Sequence, residues 1–433
     1  LVAQNNHKPN IIVIIADDAG SSDFGAYENS NIKTPNINRL AEEGLKFTNA
    51  FLTTSSCSPS RCSILTGKYP HNTGAPDLGM PLPADQKIIA GELKKAGYYN
   101  VSSGKWHIGP RRPEFDSIFG WGGPSGCGNW ERALLHRPKD KPFFMWFAAV
   151  DPHRAYEPNT IPVPHDPFKV IVPPYLSDND STRKDLAMYY DEISRLDSYV
   201  GIVMEILKKQ EVDENTVVIF MSDNGMPFPR AKNRLYDSGI KTPLIVRWPK
   251  KVKAGTVSHS LISSIDIFPT ICEIADAKIP EVVQGVSFKP LLTNPRKRIR
   301  QEIFAEHNWH DFEAHERAVR TRKYLYIWNA YPEFNANPPG DVIRSITYKE
   351  MLKAFKSGDL PEEERDCFVR PRMKEELYDV ENDPWQLKNL SLDKAYSDVL
   401  IEMRNKLNYW KDWSNDSISE EPRPDRPSLR RIE

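Results

Sequence analysis

Four stretches of the chain are apolar almost without interruption: residues 10–16, 142–150, 216–221 and 243–248. They are rich in β-branched and aromatic side chains, a pattern that suits strands covered on both faces of a parallel sheet. The first three run straight into polar groups: Asp17-Asp18, Asp151-Pro152-His153-Arg154 and Ser222-Asp223-Asn224-Gly225. In open α/β sheets ligands gather beyond the carboxyl ends of strands, which is where these groups fall. Residues 98–103 form a shorter strand that leads into Gly104-Lys105-Trp106-His107-Ile108-Gly109. Helical patterns lie between the strands. Residues 34–44 carry Thr34 as cap, Pro35 at the first helical position and Gly44 as stop. Residues 185–209 place Ile193, Leu196, Val200, Val203 and Leu207 on one side. This alternation predicts an α/β fold with a doubly wound, mainly parallel sheet. From about Arg300 short aromatic strands (residues 324–328 and 376–379) and a terminal helix near 396–410 replace it. The expected division is a catalytic α/β domain over 8–300 and a smaller α+β subdomain with an antiparallel sheet over 301–433.

A chain of 433 residues is long enough for a large core and two domains. Its 58 Lys+Arg against 59 Asp+Glu leave a net charge of −1, which gives no support for a nucleic-acid partner. No run of about 18 apolar residues is present, so no transmembrane segment is expected. The polar start, Leu1-Val2-Ala3-Gln4-Asn5-Asn6-His7, reads as what remains once a secretory signal has been removed. The five cysteines are too few and scattered for a disulfide framework or a zinc site. Many of the 36 prolines fall between Pro110 and Pro174, which predicts long ordered loops there.

Residues 55–67, Ser-Ser-Cys-Ser-Pro-Ser-Arg-Cys-Ser-Ile-Leu-Thr-Gly, read as a reactive group at the start of a helix. Cys57 meets free backbone N–H groups and the positive end of the dipole, Pro59 suits the first turn, and Gly67 is a C′ stop. Arg61, one turn on, has the fork to hold an oxyanion. On these residues alone, a capped helix with a buried cysteine reads equally well. The pattern Cys57-Ser58-Pro59-Ser60-Arg61 with Leu65-Thr66-Gly67 resembles the signature of the type I sulfatases of the alkaline phosphatase superfamily. Further matches extend from Asn10 to the region of Asn389, most of the chain. The resemblance implies an alkaline phosphatase-like fold and a Cys57 oxidised to formylglycine by a maturation enzyme. It also implies a periplasmic, secreted or lysosomal setting.

Asp17, Asp18, Asp223 and Asn224 are ordinary turn formers taken pair by pair. Together they offer only oxygen donors and three negative charges, which selects a hard cation and suits Ca2+ better than magnesium. The resemblance implies the same four as ligands to one calcium, with position 57 and the substrate sulfate completing the shell. Asn224 after Asp223, and cysteine as nucleophile, set the chain apart from the two-metal phosphoesterases of that superfamily. Lys105 and His107 match its G-K-W-H-x-G motif, and His153 its second active-site histidine. Lys232 resembles a lysine in a K-G-x-x-Y-E-G-G segment, departing at Asn233, Asp237 and Ser238. In the mechanism this implies, calcium, Arg61, Lys105 and Lys232 neutralise the sulfate, and a hydroxyl of the hydrated aldehyde attacks sulfur. The second hydroxyl, with His107 as base, expels sulfate. His153 protonates the leaving atom, with Lys232 as runner-up.

Segments around Asp17, Gly25, Asp151 and Asp223 resemble the heparan N-sulfatase (sulfamidase) subgroup, in which arginine more often occupies the position of Lys232. The expected substrate is therefore a terminal sulfated sugar of a glycan, O-sulfate slightly ahead of N-sulfate. Trp309, His310, His315 and Arg317, with Glu313, form a polar-aromatic cluster that suits either a sugar pocket or a packed loop. Two remoter alternatives are a phosphoesterase of the same superfamily and a non-catalytic glycan binder.

Overall fold

The apolar runs become the middle of a sheet. In a computed structural model that describes residues 8–418 and 422–431, the strands are β1 (Asn10–Ala16), β2 (Leu45–Phe47), β3 (Ala50–Phe51), β4 (Tyr99–Gly104), β5 (Ser117–Phe119), β6 (Phe143–Ala148) and β7 (Thr216–Ser222). They continue with β8 (Leu244–Arg247), β9 (Thr256–Ser258), β10 (Ile262–Ser263), β11 (Glu302–His307), β12 (Glu316–Thr321), β13 (Tyr324–Asn329) and β14 (Glu375–Asp379). Eight form one sheet in the order β5-β4-β6-β1-β7-β8-β2-β9. The five from β5 to β7 are parallel, with Val13 paired to Trp146 on one side and Ile219 on the other. β1 has a neighbour on each edge and a layer on each face, so Ile11 to Ala16 are fully buried.

The 243–248 run does become a buried strand, but β8 runs antiparallel to both β7 and β2. A parallel return needs a crossover, usually a helix of a dozen residues. Between Ser222 and Leu244 the only helix among the described residues is the single turn Asp237–Ile240. The chain therefore turns back beside β7, and the connecting loop is free to line the strand ends.

Helices cover both faces. Ile12, Ile14 and Ala16 pack against Tyr189, Ile193, Leu196, Val200 and Val203 of the long helix Asp180–Lys209. Ile11, Val13 and Ile15 pack against Cys62, Ile64 and Leu65 of helix Cys57–Thr66 and against Ile267, Phe268 and Ile271. The long helix begins before the expected 185 because Asn179 caps it, accepting from the Thr182 N–H.

β11 to β14 form a second, antiparallel sheet in sequential order. Ile303, Ala305, Ala318 and Leu325 face Phe51, Leu235 and Tyr236 of the larger domain. Val319, Tyr326 and Leu377 face Met403, Leu407 and Trp410 of helix Ser397–Ser414. The segment between β13 and β14 leaves this sheet, and Tyr348, Met351 and Phe368 join the main core. The helix Gly340–Ile343 is thereby carried to the strand ends of the larger sheet. All five cysteines are buried and free. No helix of the described residues is long and apolar enough to cross a membrane. Residues 1–7, read above as the remnant of a signal, lie outside the described part.

Candidate active site

Three loops meet at the carboxyl ends of β1, β6 and β7. Asp17 and Asp18 follow β1, His153 follows β6, and Asp223 and Asn224 follow β7. Gly225 is required there, since a Cβ would lie 1.9 Å from the Ser238 carbonyl oxygen. Cys57 enters from the opposite layer as the first residue of its helix, after an extended Ser56 (φ −147°, ψ 126°). Gly67 closes that helix in the left-handed region at φ 68°, where its N–H reaches the Ser63 carbonyl.

The Cys57 thiol lies 3.5 Å from Asp18 Oδ1 and accepts from Asn224 Nδ2 at 3.1 Å. Burial, then the Asp18 carboxylate, push its pKa well above the ordinary thiol value. Desolvation and the neighbouring carboxylate thus work against the anionic thiol that a helix start favours. Arg61 also departs from its expected role. Its Nε donates to Asp223 Oδ2 at 2.7 Å, Nη2 to Asp17 Oδ1 at 3.3 Å, and Nη1 to the Lys105 carbonyl at 3.0 Å. With all three nitrogens engaged and no exposure, the guanidinium fixes two carboxylates.

Lys105 Nζ bonds Asp17 Oδ2. Lys232 Nζ lies 2.6 Å from Asp18 Oδ2 and 2.8 Å from Asp341 Oδ2. Burial alone would lower the Lys232 pKa, but the two carboxylates raise it well above normal. Lys232 is therefore held as a cation between the Asp18 and Asp341 carboxylates. Asn233, where the motif it resembles has glycine, sits at φ 67°, a conformation that asparagine tolerates.

His107 is neutral: burial, then Lys105 and Arg61, push its pKa down to about 3. Its Nδ1 is buried with no hydrogen-bond partner among the described residues. His153 points Nδ1 at the Arg154 carbonyl, so that nitrogen carries the hydrogen. Its Nε2 is left 3.8 Å from Asp18 Oδ2 and 3.7 Å from Asp341 Oδ2. A cavity of about 300 Å³ lies beside His153, walled by Tyr156, Met188 and the Arg154–Asp185 pair.

The donor set fits a hard cation. Asp17, Asp18 and Asp223 converge, and burial with the other two carboxylates pushes Asp223 up to about 7 despite Arg61. Burial would raise Asp17 as well, but Lys105, His153 and Arg61 hold it below the carboxylate range. Asn224 Nδ2 points at Asp18, Asp223 and Cys57 together, while its Oδ1 is buried with no partner among the described residues. A half-turn of the carboxamide brings Oδ1 to the point the two carboxylates share, completing four oxygen donors. Asp17, Cys57 and Asp223 have ligand atoms within 4.8 Å of one another.

Of the sugar-binding expectations, His310 adjoins the site, its Nδ1 2.7 Å from Ser56 Oγ. Trp309 donates its Nε1–H to the Pro424 carbonyl, and Arg426 lies over its ring. His315 and Arg317 lie elsewhere. Arg317 is buried and grips Asp416 through Nε at 2.7 Å and Nη2 at 2.8 Å, and His315 packs against Trp328. A buried ion pair and a sugar clamp carry the same residue types, so the sequence does not separate them. Asp341 is the residue that sequence reasoning missed. It lies 109 positions from Lys232, in no motif, and only the return of the chain to the main core brings it in.

A buried group at a helix start, three strand-end carboxylates and matched lysines define a hydrolase of anionic esters on a doubly wound sheet. The sulfatase family model matches residues 9–126 and 128–277, and the model for the C-terminal region of N-sulphoglucosamine sulphohydrolase matches 230–335. The chain belongs to the sulfatase family, whose members hydrolyse sulfuric esters. An ulvan-active sulfatase of Formosa agariphila is 31% identical, over 93% of this chain and 74% of its own length. Human N-sulphoglucosamine sulphohydrolase is 30% identical, over 93% and 89%. Among solved structures, a protein in complex with its substrate D-glucosamine-2-N,6-O-disulfate superposes with a TM-score of 0.75 at 21% identity, covering 95% of this chain and 99% of that one. This last likeness is one of fold.

Proposed function

We propose that the protein removes sulfate from a terminal sulfated sugar of a glycan, through a formylglycine made from Cys57 and with one calcium ion. The observation that carries this reading is the state of Cys57, a neutral thiol buried against Asp18 and Asn224. A thiol whose pKa is raised is a poor nucleophile. A formylglycine at position 57 would supply, as its hydrate, one hydroxyl to attack sulfur and a second to release the sulfate. Asp17, Asp18, Asp223 and Asn224 would hold the calcium, which would supply Lewis-acid withdrawal of charge from the sulfate oxygens.

The side chains of this chain do the remaining work. Arg61 locks Asp17 and Asp223 in place. Lys105 and Lys232, paired with Asp17 and Asp18, would neutralise the sulfate oxygens. Neutral His107 takes the proton when the second hydroxyl expels sulfate. His153 keeps its hydrogen on Nδ1 and delivers a proton from Nε2 to the leaving atom.

A cavity of about 300 Å³ beside Nε2 is the size of a small-ligand site and holds a single sugar ring. We place O-sulfate first because Lys232 stands where the sulfamidase subgroup more often carries arginine; the proton from His153 Nε2 serves an oxygen or a nitrogen leaving group alike. N-sulfate is the second reading, favoured by the C-terminal family match and the human relative. The test is mass spectrometry of the Cys57 peptide together with sulfate release from glucosamine N-sulfate and O-sulfated hexoses, side by side. The expected result is formylglycine at position 57, release from O-sulfated sugar, and no turnover by a folded Cys57→Ala variant. Full release by that variant would overturn the mechanism, and cleavage of N-sulfate alone would overturn the O-sulfate preference.

A further inference from the structure

The cavity beside His153 contains two arginines in opposite electrostatic states. Arg154 is neutralised: its Nη1 and Nη2 grip Asp185 at 2.7 and 2.8 Å, and its guanidinium lies over the rings of Phe228 and Tyr156. It is a wall of the cavity, with no charge to spare. Arg344 is exposed and has no ion pair or side-chain hydrogen bond among the described residues.

The carboxylates close to Arg344 are already engaged. Its Nη1 lies over Gly340, 3.2 Å from the position of a Cβ there, with Asp311 Oδ2 3.3 Å from the same point, and Asp341 lines the same cavity. Asp341 is held by Lys232 and faces His153. Asp311 is held by Arg426 at 2.6 Å and by the Gly340 N–H at 2.8 Å. Met188 and Ile346 are aliphatic members of a lining that also includes His153, Tyr156, Ser345 and charged residues. A cation without an ion pair among the described residues, lining the same cavity as His153, is a site for an anion on the substrate.

We propose that Arg344 selects substrates whose terminal sugar carries a second anionic group, a further sulfate or a ring carboxylate, besides the sulfate being cleaved. The planar fork of arginine suits either anion with paired N–H donors. This inference rests on the sugar-sulfatase reading and narrows its substrate class.

The test reads binding, so it is independent of maturation at position 57. Titration calorimetry compares glucosamine 6-O-sulfate with glucosamine-2-N,6-O-disulfate, and a neutral hexose sulfate with the matching uronate sulfate, on the full chain and on Arg344→Ala and Arg344→Lys. The chain is expected to prefer one doubly anionic sugar of these pairs by about tenfold or more, the scale of a charge-assisted hydrogen bond. The pair that shows it tells sulfate from carboxylate. In Arg344→Ala the ratio falls toward one, and Arg344→Lys restores part of it. Equal binding within both pairs by the unaltered chain, or a ratio unchanged in Arg344→Ala, overturns the inference and leaves the sulfatase reading standing. Binding of none of these sugars overturns the sugar reading and this one with it.

Discussion

Asp341 is the carboxylate that joins Lys232 to His153. It accepts from Lys232 at 2.8 Å and lies 3.7 Å from His153 Nε2. Burial would raise its pKa, but Lys232 and then His153 hold it below the carboxylate range, so it is anionic across the working range. Asp341→Asn keeps the shape, removes the charge, and leaves Lys232 with Asp18 alone. We expect kcat to fall by about tenfold to a hundredfold, the scale of a disturbed general acid, with KM changed much less. A variant with kcat within about twofold of the parent in steady-state assays would show that the contact is incidental. Lys105, His107 and His153 were legible because each sits in a short segment whose neighbours repeat a known pattern. Asp341 has no such neighbours, and its role arises from a meeting across the tertiary structure.

The long helix Asp180–Lys209 is the brace for the loop that carries His153. Arg195 grips Asp151 at 2.6 and 2.8 Å, and Asp185 grips Arg154, which brackets His153 in sequence. Glu192 shares this cluster, 3.2 Å from Arg195. Burial, then the Asp151 carboxylate, push its pKa from 4.5 up to about 8. The folded chain thus holds a proton that the unfolded chain has lost. That contribution to stability is complete below pH 4.5 and drains away as pH rises toward 8. Glu192→Gln removes the titration and keeps a hydrogen-bonding side chain. Urea melts at about pH 5 and pH 9 are expected to show the parent losing up to about 4 kcal/mol more than the variant, about 1.4 kcal/mol for each pH unit the titration spans. Parallel losses would mean that the cluster does not bind this proton. The helix itself was legible from its apolar period, but its pairing with the His153 loop was not, because charged residues on a helix read as a solvated face.

At the scale of the molecule, one ion would join what the fold brings from three parts of the chain. Asp17 and Asp18 come from β1, Asp223 and Asn224 from β7, and Cys57 from a helix in the opposite layer. A ligand bound only by the folded chain stabilises it by about 2.7 kcal/mol at a hundredfold excess over Kd. Elemental analysis is expected to give one calcium per chain, and a chelator to lower Tm by several degrees, reversed by calcium. Two zinc ions per chain would place the site with the two-metal phosphoesterases.

The sequence by itself determined the central parallel strands, since a run apolar at every position has nowhere to go but between two layers. It also marked out Asp17, Asp18, Cys57, Asp223 and Asn224 as candidates, because they sit at strand ends and a helix start, where adjacent residues spell out the local chemistry, and the fold brings them together. Direction, occupancy and charge state were left to the tertiary structure. β8 reversed because the loop before it holds one helical turn and no crossover. Arg61 and Lys232 were committed to carboxylates that local sequence does not place beside them, and Arg317 was drawn into a buried pair with Asp416. Each of these depends on which opposite charge lies within about 4 Å, and for groups tens to hundreds of residues apart only the closed fold sets that distance.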